Sequence, residues 1–211
     1  MKNQQQNILC EKGIDISHWQ GEIDWEKVAA EGIKHVFLKM SEGGTYTDPN
    51  FVTNWNAAKN AGLKVNAYHY FKALNSTPEE QVANIKRNLL SVGFDPAMNG
   101  LAIDVEAGGN ESASRDIMAD HLHMLLSLLN CDLLDIKPMI YCSPAYWNSG
   151  VNWEKYDFGD YPLWVANWNV DEPHLPKSWE QSGKSWSCWQ YSSKGKVNGI
   201  KGDVDLDWVR N

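Results

Sequence analysis

The residues best placed to do chemistry are Asp104 and Glu106, which close the otherwise apolar run Leu101-Ala102-Ile103. Side chains alternate along a strand, so both carboxyls face one side, with Cα atoms roughly 6–7 Å apart. Two negative charges that close repel, and one of them is expected to keep its proton near neutral pH. A carboxylic acid in that state can protonate a leaving glycosidic oxygen. The pair alone also fits a solvated turn or a metal site. Asp15 and Asp205 narrow the choice. Each falls at the mouth end of its own short apolar run, Gly13-Ile14-Asp15-Ile16 and Val204-Asp205-Leu206. If these runs are the first and last strands of a closed barrel, they are neighbours, and four acids converge on one opening. A structural protein gains nothing from that repulsion. A metal could justify it, but Tyr and Trp crowd the same strand ends and point to a sugar.

Short apolar runs alternate with helical patterns along the chain. Strands are expected at Gly13–Ile16, His35–Lys39, Val65–Tyr70, Leu101–Asp104 and Met139–Tyr141, then at Leu163–Ala166, Cys188–Tyr191 and Val204–Leu206. Asp24 caps a helix running to Ala30, and Asp48-Pro49 opens another with proline at its first position. Thr77-Pro78-Glu79-Glu80 is a capping box that starts a helix to about Leu90. Met118, Leu122, Leu125 and Leu129 mark one face of a further helix. The pattern predicts an α/β fold, an irregular single-domain β/α barrel of the TIM-barrel type. It has about five strand–helix units followed by three further strands. Chemistry in such a barrel sits at the C-terminal ends of the strands. That rule selects Asp15, Lys39, Tyr68, His69, Asp104, Glu106, Tyr141, Asn167, Gln190 and Asp205.

The chain has 211 residues, with a polar tail at 1–12 and one domain at 13–211. Its net charge is −8 with no clustered Lys and Arg, so nucleic acid is excluded as a partner. No run approaches the roughly 18 apolar residues of a membrane span. Cys10, Cys131, Cys142 and Cys188 match neither a redox pair nor a zinc site and are read as free thiols, Cys131 and Cys188 as small buried hydrophobes. His121 and His123 stand two apart on a helix and do not share a face. Neither metal nor cofactor is expected. Met1 to Asn7 is polar and lacks the apolar run of a signal peptide. Export is therefore expected through a leader already removed, or by release from the cytoplasm. Eleven tryptophans are many for this length. Some of them are expected to line a sugar groove, since indole is a rigid platform with one polar handle.

Ordered segments across nearly the whole chain resemble glycoside hydrolase family 25, the Chalaropsis-type lysozymes. They include Gly13-Ile14-Asp15-Ile16-Ser17, Ile23-Asp24-Trp25, Phe37-Leu38-Lys39-Met40-Ser41-Glu42-Gly43 and Ala67-Tyr68-His69-Tyr70. Leu101 to Glu106, Ile140-Tyr141, Leu163-Trp164-Val165-Ala166, Trp189-Gln190-Tyr191-Ser192 and Gly199-Ile200 through Val204-Asp205-Leu206 complete the set. The resemblance implies a muramidase that cuts the β-1,4 bond between N-acetylmuramic acid and N-acetylglucosamine in peptidoglycan. It implies Glu106 as general acid, with Asp15, Asp104 and Asp205 around the reacting sugar. Asp205 is chosen over Asp203 and Asp207 because it directly follows Val204 in the matching segment. Retention with help from the substrate's own acetamido group follows on the same ground. Tyr68, Tyr141, Trp164 and Trp189 are expected to stack or position sugars, and His69, Asn167 and Gln190 to shape the groove. Lys39 and Glu42 are expected to pair at its mouth. A single chain acting on cell walls outside the cytoplasm is expected. A chitinase-type motif would place acids at Asn99 and Ala102, where there are none, and a binding module that had lost activity would lack one of the four acids.

Overall fold

The computed structural model describes residues 10–132 and 137–210. Residues 1–9, most of the polar tail, and Asn211 lie outside the described residues. Eight strands close a barrel: β1 (Cys10–Ile16), β2 (His35–Glu42), β4 (Lys64–Tyr70), β5 (Leu101–Asp104), β6 (Met139–Cys142), β7 (Leu163–Ala166), β8 (Cys188–Gly195) and β9 (Val204–Arg210). A two-residue strand, β3 (Tyr46–Thr47), folds back on β2 as a hairpin. The first seven barrel strands pair in parallel, β1 with β2 through to β7 with β8. The last, β9, runs antiparallel to both β8 and β1.

Helices follow six of the barrel strands: α1 (Trp25–Ala30), α2 (Phe51–Asn60), α3 (Pro78–Ser91), α4 (Arg115–Asp132), α5 (Pro144–Gly150) and α6 (Lys177–Ser182). The caps read from sequence are present at two of them. Asp24 accepts from Lys27 N at the start of α1, and Thr77 and Glu80 form both halves of the capping box on α3. At α2 the expectation fails. The helix begins at Phe51 rather than Pro49: Asp48 accepts from Asn50 N (2.9 Å) as a capping side chain would and its other oxygen holds the backbone and ring of His18, but the Asp48–Phe51 segment forms a turn that leads into the helix. The tail boundary also moves. Cys10, Glu11 and Lys12 belong to β1, paired with Arg210, Val209 and Trp208.

Strand alternation divides the apolar residues into two layers. Phe37, Ala102, Tyr141, Trp164, Ala166 and Cys188 fill the barrel interior. Ile14, Val36, Leu38, Val65, Ile103, Ile140 and Val165 face outward against the helices. Trp147 on α5 is fully buried in this outer layer, donates to Ser178 Oγ at 2.9 Å, and meets the rings of Trp179 and Phe158 at 5.1 and 5.3 Å. It therefore ties three short segments that lack intrinsic helical strength. Trp147→Ala is expected to cost about 3–5 kcal/mol. In thermal unfolding that is a fall in Tm on the order of 10 °C for a domain of this size.

Candidate active site

A cavity of about 380 Å³ opens at the C-terminal ends of the parallel strands. Asp15, Asp104, Glu106 and Asp205 all line it, with Lys39, Tyr68, Tyr70, Tyr141, Trp164 and Gln190. The strand directions explain how the acids meet. Asp15 lies one residue before the end of β1, and Asp104 ends β5. Glu106 lies two residues beyond Asp104, past the strand, with Val105 between them buried in the outer layer. Asp205 reaches the mouth by a different route from the one expected. It sits at the start of β9, and because β9 is reversed its beginning is at the top of the barrel. There it lies directly opposite Asp15 in the ladder, an arrangement of like charges that is destabilising when both are ionised.

Burial dominates the electrostatics. It pushes Asp104 well above the usual carboxylate range, with the charge of Glu106 adding to it and Lys39 and Lys72 opposing. Asp104 Oδ1 is buried with no hydrogen-bond partner among the described residues. Burial also raises Glu106, with the charge of Asp205 adding to it and Lys39 opposing. Asp15 is raised well above its ordinary value by burial and then by Asp207 and Asp205. Burial holds Asp205 up at about 6. The pocket thus retains protons at pH values where exposed carboxyls have lost them.

Gln190 links the two sides of this cluster. Its amide donates to Asp15 Oδ2 at 2.8 Å, while its Oε1 accepts from Tyr141 Oη and Trp168 Nε1, both at 3.0 Å. Trp164 forms aromatic contacts with Phe37, Tyr68 and Tyr141 at 4.4, 6.2 and 4.7 Å between ring centres. Lys39 pairs with Glu42 at 2.8 Å, and Lys72 joins the same carboxylate at 3.1 Å. Both lysines lie over the Tyr70 ring, at 4.8 and 4.6 Å. Glu42 itself is absent from the pocket lining and acts on the site through Lys39. Asn167 lines an adjoining cavity of about 540 Å³ that shares Glu106, Tyr141 and Trp168 with the first.

Two expected groove residues are not brought to the opening. His69 is fully buried on the outward face of β4, bonded to Ser41 Oγ (2.8 Å) and Gln81 Oε1 (3.1 Å), and burial lowers it to about 4, so it is neutral. Trp189 faces outward from β8 and donates to Asn167 O at 2.8 Å. Each follows from alternation: Tyr68 and Tyr70, and Gln190, take the inward positions. The sequence reading missed Trp19 and Trp168, which line the pocket while remaining 81% and 45% exposed. Trp19 lies in a single 3-10 turn, His18–Gln20, and Trp168 in a loop, both too short for periodicity, and their exposure is a property only the fold reveals. All four cysteines are free, but Cys131 is exposed rather than buried. Among the described residues no group of three or more His, Cys, Asp and Glu side chains could hold a metal ion, and no helix is long and apolar enough to cross a membrane.

Comparison with known proteins agrees with this geometry. Residues 14–200 match the family model for glycosyl hydrolases family 25. Lysozyme M1 of Streptomyces globisporus is 29% identical over 199 residues, covering 92% of this chain and 66% of that protein. An autolytic lysozyme of Clostridium acetobutylicum is 33% identical over 196 residues, covering 93% of this chain and 55% of that protein. The chain thus spans about two thirds of one curated relative and about half of the other. Among solved structures, a lysozyme from Streptomyces coelicolor superposes with a TM-score of 0.80 at 29% identity, covering 97% of this chain and 94% of that one. A family 25 lysozyme from Aspergillus fumigatus gives 0.82 at 26%, covering 96% and 95%. The match runs from Ile14 to Ile200, through β8, and includes three of the four acids, Asp15, Asp104 and Glu106, and the chain belongs to glycosyl hydrolase family 25 and is with it a glycoside hydrolase.

Proposed function

We propose that this protein is a lysozyme that hydrolyses the β-1,4 bond between N-acetylmuramic acid and N-acetylglucosamine in bacterial peptidoglycan. The observation that carries the reading is the convergence of Asp15, Asp104, Glu106 and Asp205 on one aromatic-lined cavity. The relatives named lysozyme support the choice of substrate. It acts as a single chain on cell walls outside the cytoplasm.

Glu106 is the general acid. It gives its proton to the glycosidic oxygen as the C1–O bond breaks. The carbonyl oxygen of the substrate's 2-acetamido group closes on C1 from the opposite face, and Asp104 receives and orients the acetamido N–H. Asp104 Oδ1, buried without a partner, is the free acceptor that this role needs. Asp205 and Asp15 stabilise the positive charge that develops on the ring. Water then attacks C1 from the side the leaving group occupied, giving its proton to the Glu106 carboxylate as the C1–O bond to the acetamido group breaks and restores the amide, and the configuration at C1 is retained. Tyr68, Tyr141 and Trp164 shape the reacting subsite, and the exposed indoles of Trp19 and Trp168 offer platforms for neighbouring sugars.

The test is digestion of purified peptidoglycan, followed by borohydride reduction and mass analysis of the fragments. New reducing ends on muramic acid, with β-anomer formed first by NMR, are expected. Reducing ends on glucosamine, or the α-anomer formed first, would overturn the bond assignment or the retaining scheme respectively. Binding to walls without release of fragments would identify a sugar-binding module instead.

A further inference from the structure

Beneath the pocket lies an acid that the scheme above does not use. Asp207 is fully buried and stands two residues beyond Asp205 on β9, on the same inward face but one step deeper. Its Oδ1 accepts from Trp164 Nε1 at 2.8 Å, and Cys188 Sγ lies 3.8 Å away. Its Oδ2 is buried and receives no N–H or hydroxyl donor among the described residues.

The carboxyl that faces it across the ladder belongs to Asp15, which feels the charge of both β9 acids. In the ladder Asp15 lies opposite Asp205 and Gly13 lies opposite Asp207, so the approach of Asp15 to Asp207 runs along the diagonal, a distance that side chains span. Gly13 makes room for it, since a Cβ there would come within 3.2 Å of the Asp207 Cβ. Two buried carboxylates this close repel, and a proton on one of them removes the repulsion and can bridge the pair. An anchor for the Trp164 indole would not need an acid, because a neutral amide accepts the same bond at a smaller burial cost.

We infer that Asp207 is a positioning residue that shares one proton with Asp15 across the β1–β9 ladder, and so sets from below the protonation state in which Asp15 meets the sugar. The groups facing it are Asp15 from β1, Asp205 on its own strand, Trp164 from β7 and Cys188 from β8, with Tyr191 of β8 also sensing its charge. None of them is cationic, so only a proton can neutralise it. Burial, with Asp205 adding, holds Asp207 at about 7.

The inference rests on Asp15 belonging to the reacting pocket. Asp207→Asn keeps an acceptor for Trp164 and offers Asp15 an N–H in place of a carboxyl, so Asp15 ionises at lower pH. The pH profile of kcat on peptidoglycan is expected to move acidward by one unit or more, with KM at the optimum within about two-fold. An unmoved profile would reduce Asp207 to an anchor for Trp164 and overturn the inference. A second measurement needs neither variant folding nor activity on walls: carboxyl 13C NMR of the unmodified, aspartate-labelled protein. Asp15 and Asp207 are expected to titrate as a coupled pair in two steps, and independent single-step curves would overturn the inference. Coupled titration in a protein that fails to cut peptidoglycan would sink the muramidase reading and leave the shared proton intact.

Discussion

Glu106→Gln is expected to keep binding to bacterial walls and to lose activity by 10²–10⁴-fold, on the order of what a positioned general acid contributes. The amide fills the same volume in the pocket but has no proton to give to a leaving oxygen. Turbidity clearing and a pull-down on the same wall preparation separate the two effects. The alkaline side of the activity profile has the same origin. Burial lifts Glu106 above the ordinary carboxyl range, so the protonated acid persists toward neutral pH and the rate falls as that proton leaves. A near-normal rate in the variant would move the donor elsewhere, and Asp104, raised by burial and by Glu106, would be the first group to test.

The second expectation concerns stability rather than rate. The folded state holds protons on Asp205 up to about pH 6 and on Asp207 up to about pH 7, whereas the unfolded chain releases them near pH 4. Stability from these groups is fully present below pH 4 and is lost as pH rises through 6 and 7, because the folded state binds the extra protons. A two-unit rise corresponds to about 3 kcal/mol, and we expect a loss of that size for the cluster between pH 5 and 8. Calorimetry should show Tm on the order of 10 °C higher at pH 5 than at pH 8. Asp205→Asn should flatten this slope and raise Tm at pH 8 while impairing catalysis, a common exchange between activity and stability. Below about pH 4 the trend reverses, as acids such as Glu42, lowered by Lys39 and Lys72 against the opposing effect of burial, take up protons and lose their partners. A Tm that is level from pH 5 to 8 would mean that the acids do not share protons in the folded pocket.

Much of this was legible before any coordinates. The barrel strands show as short apolar runs, and the acids fall at their ends. Capping signals at Asp24 and Thr77 operate as read. What the sequence hid has identifiable causes. α5 and α6 span seven and six residues, too few for a helical period to register, and tertiary contacts such as Trp147 with Ser178 hold them. The reversal of β9 leaves no mark in its composition, since a strand reads alike in both directions. The parallel-barrel rule therefore set Asp205 at the mouth, where it lies, for the wrong reason. His69 and Trp189 were misplaced by attention to strand ends alone. Alternation from Tyr68 and Gln190 turns both away from the opening, and the same two-residue step from Asp205 leads to Asp207.

The reversed final strand also fixes where the chain leaves the barrel. β1 rises from Cys10 toward the mouth and β9 descends from it to Arg210, so Cys10 and Arg210 are paired neighbours on the floor. A short peptide could join Cys10 to Arg210 without disturbing the ladder, which makes circular permutation through a helix–strand loop on the outer wall practicable. For the same reason, tethering this barrel to a bead or a second module by either end would present the opening outward, free to meet an insoluble meshwork as large as a cell envelope.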